Sequence, residues 1–182
     1  MFRLEYAILT NEKKRLKQAN NLVVFEKELD EVEGQIHIVC NENEIGFVDK
    51  TIPYEGEYLI TWLYLFNTAI LHLNNTGYFA MLVPDSTDIW LEFKFVNKKV
   101  CVSEMQTFGE YVGYTTAIPL KNVKIIWTDI IDKIELFQEI LQTTKVFIQE
   151  VYSINKILVE SREMIRLIDS YHMVIEEVKK IF

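Results

Sequence analysis

Ile89-Trp90-Leu91-Glu92-Phe93-Lys94-Phe95-Val96-Asn97-Lys98-Lys99-Val100-Cys101-Val102-Ser103 decides the fold class. Apolar residues at 89, 91, 93 and 95 alternate with Trp90, Glu92 and Lys94, the period of two that marks a strand with one buried face. Polar residues around Asn97-Lys98 then turn the chain back through Val100 and Val102. A two-residue loop at Asn97-Lys98 and a four-residue loop over 96–99 give the same register, with Phe95 opposite Val100 and Phe93 opposite Val102. A slip of one residue would turn the phenylalanines to solvent, so the pairing is strongly specified. Trp90, Glu92, Lys94, Cys101 and Ser103 point the other way. A C-terminal helix is expected to cover Trp90; the alternative is an interface anchor.

Upstream of this hairpin the period changes to about 3.6. From Gly56 onward, Glu57, Thr61, Tyr64, Thr68, His72 and Asn75 fall on one stripe. Leu59, Ile60, Leu63, Phe66, Ile70 and Leu73 fall opposite, and Trp62 and Leu65 widen the apolar surface. The spacing predicts a helix buried over most of its circumference and packed on a sheet, ended by Asn74-Asn75-Thr76-Gly77. Further strands are expected at 2–9, 22–25, 35–40, 44–48, 78–83 and 123–127. The 35–48 hairpin would turn at Asn41-Glu42-Asn43 and pair Cys40 with Ile45, Ile38 with Phe47 and His37 with Val48.

Thr128 is placed to cap a helix that carries Ile130, Ile131, Ile134, Phe137, Ile140 and Leu141 inward. One unbroken helix from there to residue 182 would run ~80 Å, too long for a domain of this size. A break is expected near Gln142-Thr143-Thr144, where adjacent β-branched residues weaken a helix. A second helix then passes through Phe147, Val151, Ile154, Leu158, Ile165, Ile168 and Ile175. It packs on its own domain or on a second copy, making a homo-oligomer through the C-terminal helices. The chain reads as α+β: a mostly antiparallel sheet packed against a buried central helix, with C-terminal helices. The core domain covers 1–142 and the helical extension 143–182.

Charge is uneven along the chain. Of the net −8, the segment 41–92 carries Glu42, Glu44, Asp49, Glu55, Glu57, Asp85, Asp88 and Glu92 against Lys50 alone. Such an excess attracts a basic partner and repels nucleic acid, and it also serves plain solubility. The only basic run, Lys13, Lys14, Arg15 and Lys17, has no aromatic partners, so nucleic-acid binding is not expected. The apolar stretch 58–73 is shorter than the ~20 residues of a membrane-spanning helix and contains Thr61, Asn67, Thr68 and His72, so no membrane association is expected. Glu5 interrupts the apolar run an export signal would need, which makes the cytoplasm the expected compartment. Cys40 and Cys101 then read as free thiols, though spacing alone does not exclude a bridge.

Motifs that carry chemistry are sparse. His37, His72 and His172 lie far apart and lack a second His or Cys at metal-ligand spacing, so no metal or other cofactor is expected. Neither a phosphate loop nor a nucleophile elbow occurs. Asp85, Asp88 and Glu92 form the best local carboxylate cluster, and an enzyme of unfamiliar type using them is the third reading of function. Turn formation at Asp85, a strand start at Asp88 and cross-strand pairing at Glu92 account for the same residues.

Several segments together resemble small bacterial immunity proteins, the partners that neutralise polymorphic or contact-dependent toxins. These are the acidic hairpin, the helix beginning Gly56-Glu57-Tyr58-Leu59-Ile60-Thr61-Trp62, the run Asp88-Ile89-Trp90-Leu91-Glu92-Phe93, and Val123-Lys-Ile-Ile-Trp-Thr-Asp-Ile-Ile131 before a helix. The resemblance covers roughly residues 34–142 and leaves the last helix outside. It implies inhibition by tight binding, with no cofactor and no catalysis. The first reading of function is therefore a non-catalytic acidic protein that binds a basic protein, such as a toxin domain. Glu42, Glu44, Glu55, Glu57, Asp85, Asp88, Trp90, Glu92 and Tyr111 are the candidate partner-binding residues. A structural or regulatory module that oligomerises through its C-terminal helices is the alternative.

Overall fold

The computed structural model describes residues 1–28, 30–54, 56–109 and 113–180. It is α+β, with two antiparallel sheets and five α-helices among the described residues. The first sheet joins β1 (Phe2–Ala7), β2 (Glu33–Cys40) and β3 (Asn43–Gly46) in that order, and the short β4 (Glu57–Tyr58) pairs with the start of β2. The second has the order β8-β5-β6-β7-β9, from Thr115–Thr116, Tyr78–Leu82, Ile89–Val96, Lys99–Thr107 and Val123–Asp132. The helices are α1 (Thr10–Gln18), α2 (Leu22–Glu28), α3 (Leu59–Thr76), α4 (Lys133–Ile154) and α5 (Arg162–Lys179).

The β6–β7 hairpin has the expected register, Phe95 with Val100 and Phe93 with Val102, around a two-residue turn whose Asn97 takes φ +60°. The apolar stripe of α3 is buried as the spacing required, from Leu59 to Leu73, and Gly77 ends the helix at φ +74° with its N–H on the Leu73 carbonyl. Phe66 sits at the centre. Its ring lies 6.3 Å from Phe2 of the first sheet, 6.1 Å from Phe93 of the second and 5.8 Å from Trp62. Both sheets therefore close on one helix. A single buried cluster runs from Phe2 to Val174, so α4 and α5 share that core.

α4 covers the free edge of β1 in an ordered way. The Phe2 N–H donates to Glu135 at 2.6 Å and the Leu4 N–H to Glu139 at 3.0 Å, while the Tyr6 hydroxyl donates to Glu150 at 2.9 Å. Four residues of helix rise ~6 Å and two residues of strand span about 6.6 Å, so carboxylates spaced by four meet alternate edge amides.

Several local expectations are corrected. Residues 22–25 begin a helix, because the Asn21 side chain accepts the Val23 N–H and only Phe25 of that run is buried. An apolar run this short carries no period to separate helix from strand. The first hairpin pairs Cys40 with Asn43, Ile38 with Ile45 and His37 with Gly46. Asn41 takes φ +51° and closes a tighter turn, and Gly46 at φ +71° lets the chain leave the sheet before Phe47. β9 continues to Asp132, which caps α4 through its Ile134 and Glu135 N–H groups in place of Thr128, and Ile130 and Ile134 face solvent.

α4 runs unbroken through Gln142-Thr143-Thr144. Both threonines are buried anchors: Thr143 donates to the Leu4 carbonyl and Thr144 accepts from Asn67 of α3. These tertiary bonds outweigh a propensity deficit of a few tenths of a kcal/mol per residue. Phe147 and Val151 thus belong to α4. The break falls at Asn155, whose side chain donates to the Leu16 and Ala19 carbonyls and accepts the Ile157 N–H of a 3₁₀ turn, Lys156–Glu160. α5 then buries Met164, Leu167, Ser170 and Val174, while Ile165 is exposed. No helix among the described residues is long and apolar enough to cross a membrane.

Candidate functional site

The polar stripe of α3 has a purpose in the tertiary structure. Thr61, Tyr64 and Thr68 form one wall of a cleft of about 480 Å³. Leu82 to Ser86, at the end of β5 and the turn after it, form the opposite wall. Tyr58 and Tyr114, with Glu163 and Arg166 of α5, add to its lining.

Asp85 owes its place to the turn. The Ser86 N–H donates to the Val83 carbonyl at 2.9 Å, and the Ser86 hydroxyl accepts from Asp88 and Ile89. Pro84 presets the second position, and Asp85 occupies the third at φ +63°. That is a conformation glycine or asparagine adopts more cheaply. Near it, Glu57 accepts the Trp62 indole N–H at 2.8 Å. Burial raises the Glu57 carboxyl above its ordinary range, the indole bond opposes this, and the nearby Asp85 charge adds to the rise. Among the described residues neither Glu57 nor Asp85 has an ion-pair partner.

At the α5 end, the Arg166 guanidinium lies over the Tyr64 ring, 3.8 Å from its centroid, and contacts Glu163 at 3.2 Å. The cleft thus already holds one cation on an aromatic face beside a carboxylate.

The candidate residues read from sequence are divided. Asp85 lines the cleft, and Glu57, outside that lining, lies near enough to feel the Asp85 charge. Glu42 is exposed at the first hairpin's turn, and Glu44 lies 3.1 Å from His37 on that sheet. Asp88 accepts from Gln106 at 2.8 Å, and Glu92 sits mid-sheet between Ala80 and Ser103. Trp90 is buried at 2% exposure in a second cluster with Tyr78, Ala80 and Met105, under Leu120 and Val123. The segment after β8 covers it, where a C-terminal helix was expected. Glu55 and Tyr111 lie outside the described residues.

Sequence reading missed Tyr58, Tyr64, Tyr114, Glu163 and Arg166. A polar stripe on an otherwise apolar helix was the available signal for Tyr64; nothing local tied α5 to it.

Cys40 and Cys101 are free thiols, and burial, helped by the Asp129 charge, pushes Cys40 up to about 12. His72 stacks on Phe79 at 5.1 Å. Among the described residues no group of three or more His, Cys, Asp or Glu side chains is placed to share a metal ion. No protein-family model, curated protein or solved structure matches the chain.

Proposed function

We propose that this chain is a non-catalytic acidic binding protein whose cleft takes a basic side chain of a protein partner. The observation that carries the reading is the cleft itself, in which Asp85, with no ion-pair partner among the described residues, stands beside Tyr58, Tyr64 and Tyr114, with the Glu57 carboxylate close enough to feel its charge. A lysine or arginine entering there relieves that repulsion and stacks on an aromatic ring, as Arg166 already does on Tyr64. Asp85 keeps a left-handed backbone that another residue would occupy at lower cost, consistent with selection for its carboxylate. Exposed Tyr114, Ile118 and Phe108 on the neighbouring loop supply the apolar contact that a stable interface needs.

The sequence-level resemblance to bacterial immunity proteins makes a basic toxin domain the partner we favour and the cytoplasm the compartment. Affinity capture from native cells with the wild type and with Asp85→Lys tests this. A basic domain retained by the wild type and released by the variant, with affinity falling steeply as salt rises, supports the reading. Retention of only acidic or neutral proteins, or equal retention by both forms, refutes it.

A further inference from the structure

The long edges of the two sheets are treated differently. β1 is covered by the carboxylates of α4, whereas β9, ten residues long, pairs only with β7 among the described residues. Along this open edge stand Ile125 at 58%, Ile126 at 47% and Ile130 at 54% exposure, followed by Ile134 at 43%. Together they expose about two whole isoleucine side chains, an apolar stripe of the kind that marks an interaction surface. The Asp129 side chain accepts from Asn41 and Asn43 of the first hairpin, but no second strand pairs with β9 among the described residues, and an unpaired strand edge of this length is a template for another strand.

We propose that β9 is the interface of a homodimer in which the second sheets of two copies join edge to edge as one antiparallel sheet. β9 complements itself, which makes a second copy its fitting partner. Its β7 partners run from Thr107 to Lys99, and Thr128, opposite Ser103, is the midpoint of the ladder. The register shift between Glu104 and Met105 leaves Ile126 as the extra residue beside Ile125.

A two-fold axis through Thr128 sets Ile130 of each chain opposite the Ile125–Ile126 bulge of the other. Apolar contact then flanks the axis on both sides. Trp127 falls opposite Asp129 of the copy and Val123 opposite Asp132, so no like charges meet. Moving the axis one position to Asp129 would bring the two Asp129 carboxylates together, which disfavours that register.

Sedimentation of the full chain over micromolar to submillimolar concentration tests the interface. The expected result is a species of twice 21.5 kDa, reduced to monomer by Ile130→Lys and unaffected by Ile165→Lys on the exposed side of α5. Because Ile130 is exposed in the monomer, Ile130→Lys should melt like the wild-type monomer. A second arm uses Thr128→Cys in a Cys101→Ser background. Directly opposed strand residues lie within disulfide reach, so the engineered cysteine should crosslink to its own copy under mild oxidation. A monomer at every concentration, a dimer that survives Ile130→Lys, or a dimer in which Thr128→Cys fails to crosslink would each overturn the proposal.

Discussion

Replacing Glu31 by alanine should cost the protein a measurable share of its stability, by an amount that depends on pH. Glu31 is 5% exposed and its carboxylate accepts four hydrogen bonds: from the N–H groups of Val32 at 2.8 Å, Ile60 at 2.7 Å and Thr61 at 3.1 Å, and from the Thr61 hydroxyl at 2.8 Å. It is the cap of α3, delivered from a distant segment. Glu31→Ala leaves two N–H groups of the first helical turn without their acceptor, at about 1–3 kcal/mol each, offset by release from the burial of a charge. A loss of roughly 2–4 kcal/mol at pH 8 is expected.

Burial lifts the Glu31 carboxyl from its ordinary 4.5 to about 7, against the lowering effect of those donors. The folded state therefore holds the proton more tightly than the unfolded chain across that window. This contribution to stability is complete below 4.5 and is lost as pH rises through 7. The gap between wild type and Glu31→Ala should then widen by roughly 2–3 kcal/mol between pH 8 and pH 5. Urea unfolding of both forms at the two pH values measures it. A gap below about 1 kcal/mol at pH 8 would show that Glu31 does not hold the helix start. A gap that narrows at pH 5 would show that the four donors outweigh burial.

Three other outcomes are expected. Phe66→Ala should remove about 3–5 kcal/mol, because its ring is where both sheets meet α3, and a thermal melt should fall by roughly 10 °C or more. The double substitution Glu135→Ala with Glu139→Ala should speed amide exchange at Phe2 and Leu4 by about tenfold or more while β2 amides stay protected. Asn155→Ala should cost about 2–3 kcal/mol in chemical denaturation, since one side chain joins the end of α1 to the turn after α4.

The elements legible in the sequence were those with a long, unambiguous period. Seven residues of alternation, 89–95, placed β6, and eighteen residues at helical spacing placed α3 with its glycine stop. The misreadings fell where local signal was short or was overruled from far away. The four apolar residues of α2 carry no usable period, and the two threonines inside α4 are held by Leu4 and Asn67, far off in sequence. The candidate site was half legible for the same reason: Asp85 and its neighbour Glu57 stood out as charge, but the tyrosines and arginine of the cleft did not.

Sequence by itself determined the α+β class, the buried helix and the register of the β6–β7 hairpin, because each follows from which face of a local element is apolar. Only the tertiary structure decided which acidic residues share a cleft, what covers Trp90, and which sheet edge stays open. Those are distances between segments far apart in the chain, and periodicity within an element says nothing about which other element comes to lie against it.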